Sequence, residues 1–150
     1  MVSINTEEEL SLYNLEGKWN DYIAVQKEVL KVLREEKYFD KFNVTNAESN
    51  MCVRITTKGI RETLGNGNRF KALPKKFKIL KVVTIRSLPK LIETGSLIAD
   101  NVRNIHEDEE FEFAYIANNL KIDGKLVKIR IAIKKKVTTN YFWIHNIDEY

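Results

Sequence analysis

Two stretches late in the chain hold the side chains best suited to chemistry. In residues 126–137, LVKIRIAIKKKV, the even positions Lys128, Arg130, Lys134 and Lys136 are cationic, and the odd positions Val127, Ile129, Ile131 and Ile133 are apolar. A strand with this sequence buries one face and carries four positive charges on the other. In residues 141–147, YFWIHNI, Tyr141, Trp143 and His145 share one side, opposite Phe142 and Ile144. Cations engage phosphate, aromatic rings stack on splayed bases, and an imidazole carries a proton near neutral pH. The sequence leaves open the register that would join these two sets. A bland use stands beside the chemical one, because exposed lysines also guard a strand against edge-to-edge aggregation and such rings also serve as core.

Other chemistries find little support. The single cysteine, Cys52, excludes an internal disulfide and a cysteine-rich zinc site, and within MCVRIT it reads as a buried structural thiol. His106 reads as a solvated loop residue. The carboxylates at 107–110 are consecutive, which is wrong for a converging metal site. Neither a metal nor a cofactor is therefore expected. The Gly-Asn run at 65–68 lacks the Lys-Ser/Thr sequel of a phosphate-binding loop, and neither histidine has a serine elbow. Metal-free RNA cleavage needs a base for the 2′-OH, cations for the pentavalent phosphate and an acid for the leaving oxygen. Histidine, lysine, arginine, tyrosine and threonine supply all three, and this chain has them to spare.

The charge is unevenly spread. Net charge is +4 over 150 residues, yet residues 1–50 hold 6 basic against 10 acidic side chains and residues 51–100 hold 11 against 3. An acidic front and a basic middle point to an anionic partner, most often nucleic acid. No apolar run approaches the ~20 residues that span a bilayer, and MVSINTEEEL lacks the features of a secretory signal. The expected place of action is the cytoplasm.

The elements that must position these residues read as follows. Thr6 and Glu9 form a capping box for a short helix ended by Gly17. Residues 20–36 repeat Ile23, Val29, Leu30 and Leu33 at helical spacing. Residues 42–45 and 51–56 read as a strand pair, and TKGIRETL as a short helix. LPKKFKILKVVTIRSL reads either as a basic helix or as a helix leading into a strand VVTI. LPKLIET is a helix capped by Gly95. Residues 111–122 and 126–137 form a hairpin about Asp123-Gly124, and YFWIHNI adds a third strand. The fold class is α+β: N-terminal helices packed on one face of a central antiparallel β-sheet, with Lys128, Arg130, Lys134 and Lys136 on the open face.

From Met51 onward, ITTKGIRETL, a basic helical stretch, SLPKLIETG, FEFAYIANNLKIDGKLVKIRIAIK and YFWIHNID resemble the barnase/EndoU/colicin/RelE-like (BECR) nuclease domains. The form most similar is the one attached to phage polyvalent proteins and bacterial polymorphic toxins. The resemblance covers about 100 residues. The opening motif falls on Thr57, Lys58, Gly59 and Ile60, the turn on Ile122 to Lys125, and the closing motif on Tyr141 to His145. Where that group often has a histidine soon after the opening motif, this chain has Glu62 and Thr63. The closing strand has Phe-Trp-Ile-His in place of Tyr-Asp-His.

The resemblance implies a metal-independent ribonuclease, often acting on tRNA, neutralised by an immunity or antitoxin protein, and delivered within a secreted toxin or a phage particle. On this reading His145 transfers protons, Lys58 and Arg130 stabilise phosphate charge, and Tyr141 positions the substrate or donates a proton. Arg61, Thr63, Lys128 and Lys134 contact RNA. Residues 1–150 would form one domain, a helical part at 1–50 followed by the nuclease-like sheet at 51–150. The alternative is a non-catalytic module of the same fold that binds nucleic acid or protein.

Overall fold

The structure is a computed structural model and describes residues 1–41, 43–65, 67–102, 111–136 and 141–150. His106 and the carboxylates at 107–110 lie outside the described residues. In chain order the elements are β1 (Ser3–Ile4), α1 (Thr6–Leu10), α2 (Tyr22–Glu35), β2 (Asn43–Thr45), β3 (Cys52–Arg54), α3 (Thr57–Leu64), α4 (Gly67–Ala72), α5 (Lys75–Thr84), α6 (Leu88–Thr94), β4 (Ser96–Val102), β5 (Phe111–Ile122), β6 (Lys125–Lys136) and β7 (Phe142–Glu149).

The fold is α+β, as the sequence leads one to expect. One sheet runs β1-β5-β6-β7-β3-β2, with β4 also paired to β5. Its centre, β4 to β7, is antiparallel, but β1 joins β5 and β3 joins β7 in parallel. The sheet is therefore mixed, and residues 1–50 supply β1 and β2 as well as helices. Val29, Leu33, Ile60, Leu64, Val83, Leu91 and Ile92 from the helices meet Ile116, Leu120, Ile129, Ile131, Ile133, Ile144 and Ile147 from the strands in one core.

The β5–β6 hairpin forms as its sequence demands. Asp123 and Gly124 have φ of 53° and 78°, the pair of left-handed residues a two-residue hairpin turn requires, and Ile122 pairs with Lys125 across it. Gly95 caps α6 as expected.

Several expectations are corrected. The cap of α1 is Asn5, whose side chain accepts from the Glu8 amide, and the helix ends at Ser11. Glu9 is instead held by both oxygens on Arg86, at 2.6 and 2.8 Å. Ile23 is 61 % exposed, since it lies about 200° around α2 from Val25, which is buried. Cys52 is exposed, because Val53 takes the core side of a three-residue strand and its neighbours must point away. VVTI is the end of α5 and the turn after it, not a strand. Positions 80–85 are all buried, and a helix buried on every side shows no period to distinguish it from a buried strand.

Candidate functional site

The site is built where β7 loses its neighbour. β3 pairs with β7 only at Phe142 and Trp143. Beyond that point α3 packs along the flank of β7, so close that a Cβ on Gly59 would lie 2.6 Å from Ile144 Cγ2 and 2.7 Å from the Ile144 carbonyl oxygen. Lys81, buried on α5, supplies donors on the same flank. Its Nζ donates to the Ile147 carbonyl at 3.0 Å, to the Thr63 carbonyl at 3.2 Å, and to Asn146 Oδ1. All three ammonium protons are thereby used, which is what a buried lysine needs. Burial lowers its pKa, while the Asp148 carboxylate pushes the other way.

β7 carries a bulge at this place. Ala132 pairs with Asn146 and Ile133 with Ile144, so His145 is the extra residue. A bulge re-aims a side chain. It lets Ile144 and Ile147, three apart, both reach the core, and it swings His145 toward α3. Its Nδ1 lies 2.9 Å from Glu62 Oε2, and its ring lies 5.4 Å from that of Phe113. Both partners of the pair are about four-fifths covered. The hydrogen bond to His145 lowers the Glu62 pKa, outweighing the desolvation that raises it, and the charges of Lys134 and Lys58 lower it further. An ionised Glu62 accepts the Nδ1 proton, so Nε2 is the nitrogen left to a substrate; among the described residues it makes no hydrogen bond.

The pair opens on a cleft of about 280 Å³ lined also by Arg69, Lys81, Asn146 and Asp148. An adjoining hollow of about 440 Å³ continues past Lys81 and Asp148 to Arg130. Chemically, the arrangement is a proton-transfer group fixed by a carboxylate, with cations beside it. Among the described residues no three His, Cys, Asp or Glu side chains are placed to hold a metal ion, and no helix is long and apolar enough to cross a membrane.

The other expected residues are distributed as follows. Lys58 is exposed at the start of α3 and acts on Glu62 through its charge. Lys134 pairs in register with Trp143 and lies over the Phe111 ring, 4.2 Å from its centroid. Arg130 pairs with Asp148, 3.7 Å away, and lies over Tyr115 at 4.6 Å. Tyr141 is exposed beneath Arg54, whose guanidinium lies 3.8 Å from the ring centroid. It does not line the His145 cleft. Lys128 is exposed opposite Asn119, toward the hairpin tip, and Arg61 is exposed on α3. Thr63 is fully buried, and its hydroxyl donates to the Gly59 carbonyl at 2.8 Å. It cannot meet RNA as expected, because its side chain is turned into the contact between α3 and β7.

Glu62, Lys81, Arg69, Asn146 and Asp148 are absent from the sequence-based site. One signal pointed to Lys81: a lysine inside the otherwise apolar run LKVV. Glu62 stood out only as a departure from the resemblance.

A family model described as large polyvalent protein-associated domain 3 matches residues 20–143, ending two residues before His145 and including Glu62. No curated protein and no solved structure matches the chain.

Proposed function

The chain belongs to the large polyvalent protein-associated domain 3 family, and from that premise we propose that it is a metal-independent ribonuclease domain cleaving RNA, with tRNA the first candidate. The observation that carries the reading is the 2.9 Å contact between His145 Nδ1 and Glu62 inside a cleft whose wall also holds Arg69, Lys81 and Asp148. Nε2 of His145 takes the 2′-OH proton, the 2′-oxygen attacks phosphorus, and the P–O5′ bond breaks. The imidazolium returns its proton to the leaving 5′-oxygen, giving a 2′,3′-cyclic phosphate and a 5′-hydroxyl. Lys58 and Lys134, whose charges reach Glu62, and Arg69 on the cleft wall offset the charge that builds on the phosphate. Arg130 and Tyr141 lie farther along the sheet and serve binding rather than the reacting bond.

A site of this kind acts in the cytoplasm of the cell that receives it, as part of a secreted toxin or a phage particle, and calls for an acidic immunity or antitoxin protein that covers the cationic face. The test is incubation of the purified protein with total tRNA in EDTA beside His145→Ala. Discrete fragments ending in cyclic phosphate, formed 10²–10⁴-fold more slowly by the variant, are expected for a lost acid–base group. Intact tRNA and intact unpaired RNA at enzyme excess would defeat the reading and leave a non-catalytic binding module.

A further inference from the structure

The sheet face opposite the helices alternates rings and cations. On β5 it carries Phe111 and Tyr115, both partly exposed, with Phe113 buried between them, and on β6 Lys128, Arg130 and Lys134, in register as Phe113 with Lys134 and Tyr115 with Ala132. On β7, Trp143 lies beside Lys134, and on β3 Arg54 lies beside Trp143. Two of the cations lie over rings, Lys134 over Phe111 at 4.2 Å and Arg130 over Tyr115 at 4.6 Å from the centroid, which holds their charges near those rings. Trp143 differs: it meets Phe111 edge-on at 6.2 Å, and among the described residues no cation lies over it. It is half-buried, and it stands two residues before His145 on the same strand.

We propose that this face seats an unpaired RNA strand, with one base stacked on Trp143 and neighbouring phosphates on Lys134 and Arg130, so that the strand passes into the His145–Glu62 cleft. Stacking needs a base that has left its helix, and an A-form duplex hides its bases from side chains standing on a sheet face. Lys134 and Arg130 sit four residues apart on one face, about 13 Å along the strand, which spreads the contacts over several nucleotides. The inference rests on the proposed ribonuclease reading for the role of the cleft, but the seating itself is a matter of binding.

The experiment therefore uses an oligonucleotide that cannot react, a 2′-O-methyl 12-mer, either single-stranded or paired with its complement. In a Trp19→Phe background Trp143 is the sole tryptophan, and its fluorescence reports stacking directly. The single strand is expected to quench Trp143 and to bind at least ~10-fold more tightly than the duplex. Trp143→Leu should lose about 10-fold in affinity and Trp143→Phe most of that less, as a stacking ring predicts. Lys134→Ala should lower the slope of log affinity against log salt by about 0.7, one phosphate contact to a single strand. Equal affinity for the duplex, or binding without quenching, would overturn the proposal; the quenching result stands even if Trp143→Leu fails to fold. Single-strand binding as described with tRNA left intact would sink the ribonuclease reading alone. His145-dependent cleavage without single-strand preference would sink the seating alone.

Discussion

His145 finds its partner across 83 residues of sequence, and that distance explains what could and could not be read. The histidine was legible because it lies on an alternating aromatic strand. Glu62 was not, because its approach depends on the bulge at His145 and on α3 filling the flank of β7, and neither leaves a local pattern. Lys81 is similar: its three acceptors lie on α3 and β7 and come together only in the fold. The Glu62–His145 bond has a pH signature. The folded Glu62 pKa is below its ordinary value of 4.5, so the bond contributes stability that is present above pH 4.5 and lost as pH falls through the depressed value. Glu62→Gln should thus be less stable than the parent at pH 7, by about 1 kcal/mol or less for a pair still touched by solvent. The two should converge in urea titrations once the pH has fallen below the depressed Glu62 pKa. A difference that is constant with pH would mean that the carboxylate is not held by the imidazole.

At the scale of elements, strong periodicity and turn chemistry were readable, and packing was not. The hairpin at Asp123-Gly124 and the cationic alternation of β6 follow from rules two residues long. β4 was missed because its register against β5 shifts twice, which breaks the alternation that would announce a strand. β1 is two residues long and exists only through its parallel pairing with β5. Gly59 joins the two kinds of information. It stands in the opening motif TKGIRE, and the structure gives its reason: α3 approaches β7 so closely that no side chain fits between them. Gly59→Ala must push α3 off Ile144, and the clash with a backbone oxygen cannot be relieved by a rotamer change. A loss of about 1–3 kcal/mol in denaturant unfolding is expected for such overpacking. Because Glu62 rides on the same helix, the variant should also lose cleavage more than its stability at assay temperature explains. An unchanged urea midpoint would show that α3 can shift without cost.

At the scale of the molecule, the sequence suggested an acidic helical front attached to a basic sheet, and the family match likewise begins only at residue 20. The fold uses the front more fully than either implies. Ser3 and Ile4 pair with Lys121 and Ile122 on β5, the Thr6 amide donates to Asp123 Oδ1 at 2.8 Å, and Arg86 ties Glu9 to Glu36. Ile4, Tyr13 and Leu15 are at most 8 % exposed. Burying Ile4 and Leu15 is worth about 2 kcal/mol each, a large share of a stability of about 5–15 kcal/mol, while the Tyr13 hydroxyl, buried among the described residues without a hydrogen-bond partner, offsets much of what its ring contributes. Deleting residues 1–19 should therefore shift the urea midpoint down by a clearly resolved amount, beyond what the saved ordering entropy of those residues restores. A midpoint that does not move would identify them as a separable leader. The same deletion leaves Glu62, Lys81, Trp143 and His145 in place and removes 4 of the 21 acidic side chains. If the remainder folds, its affinity for an unpaired strand should rise at low salt, because the site keeps its cations while the chain as a whole loses negative charge.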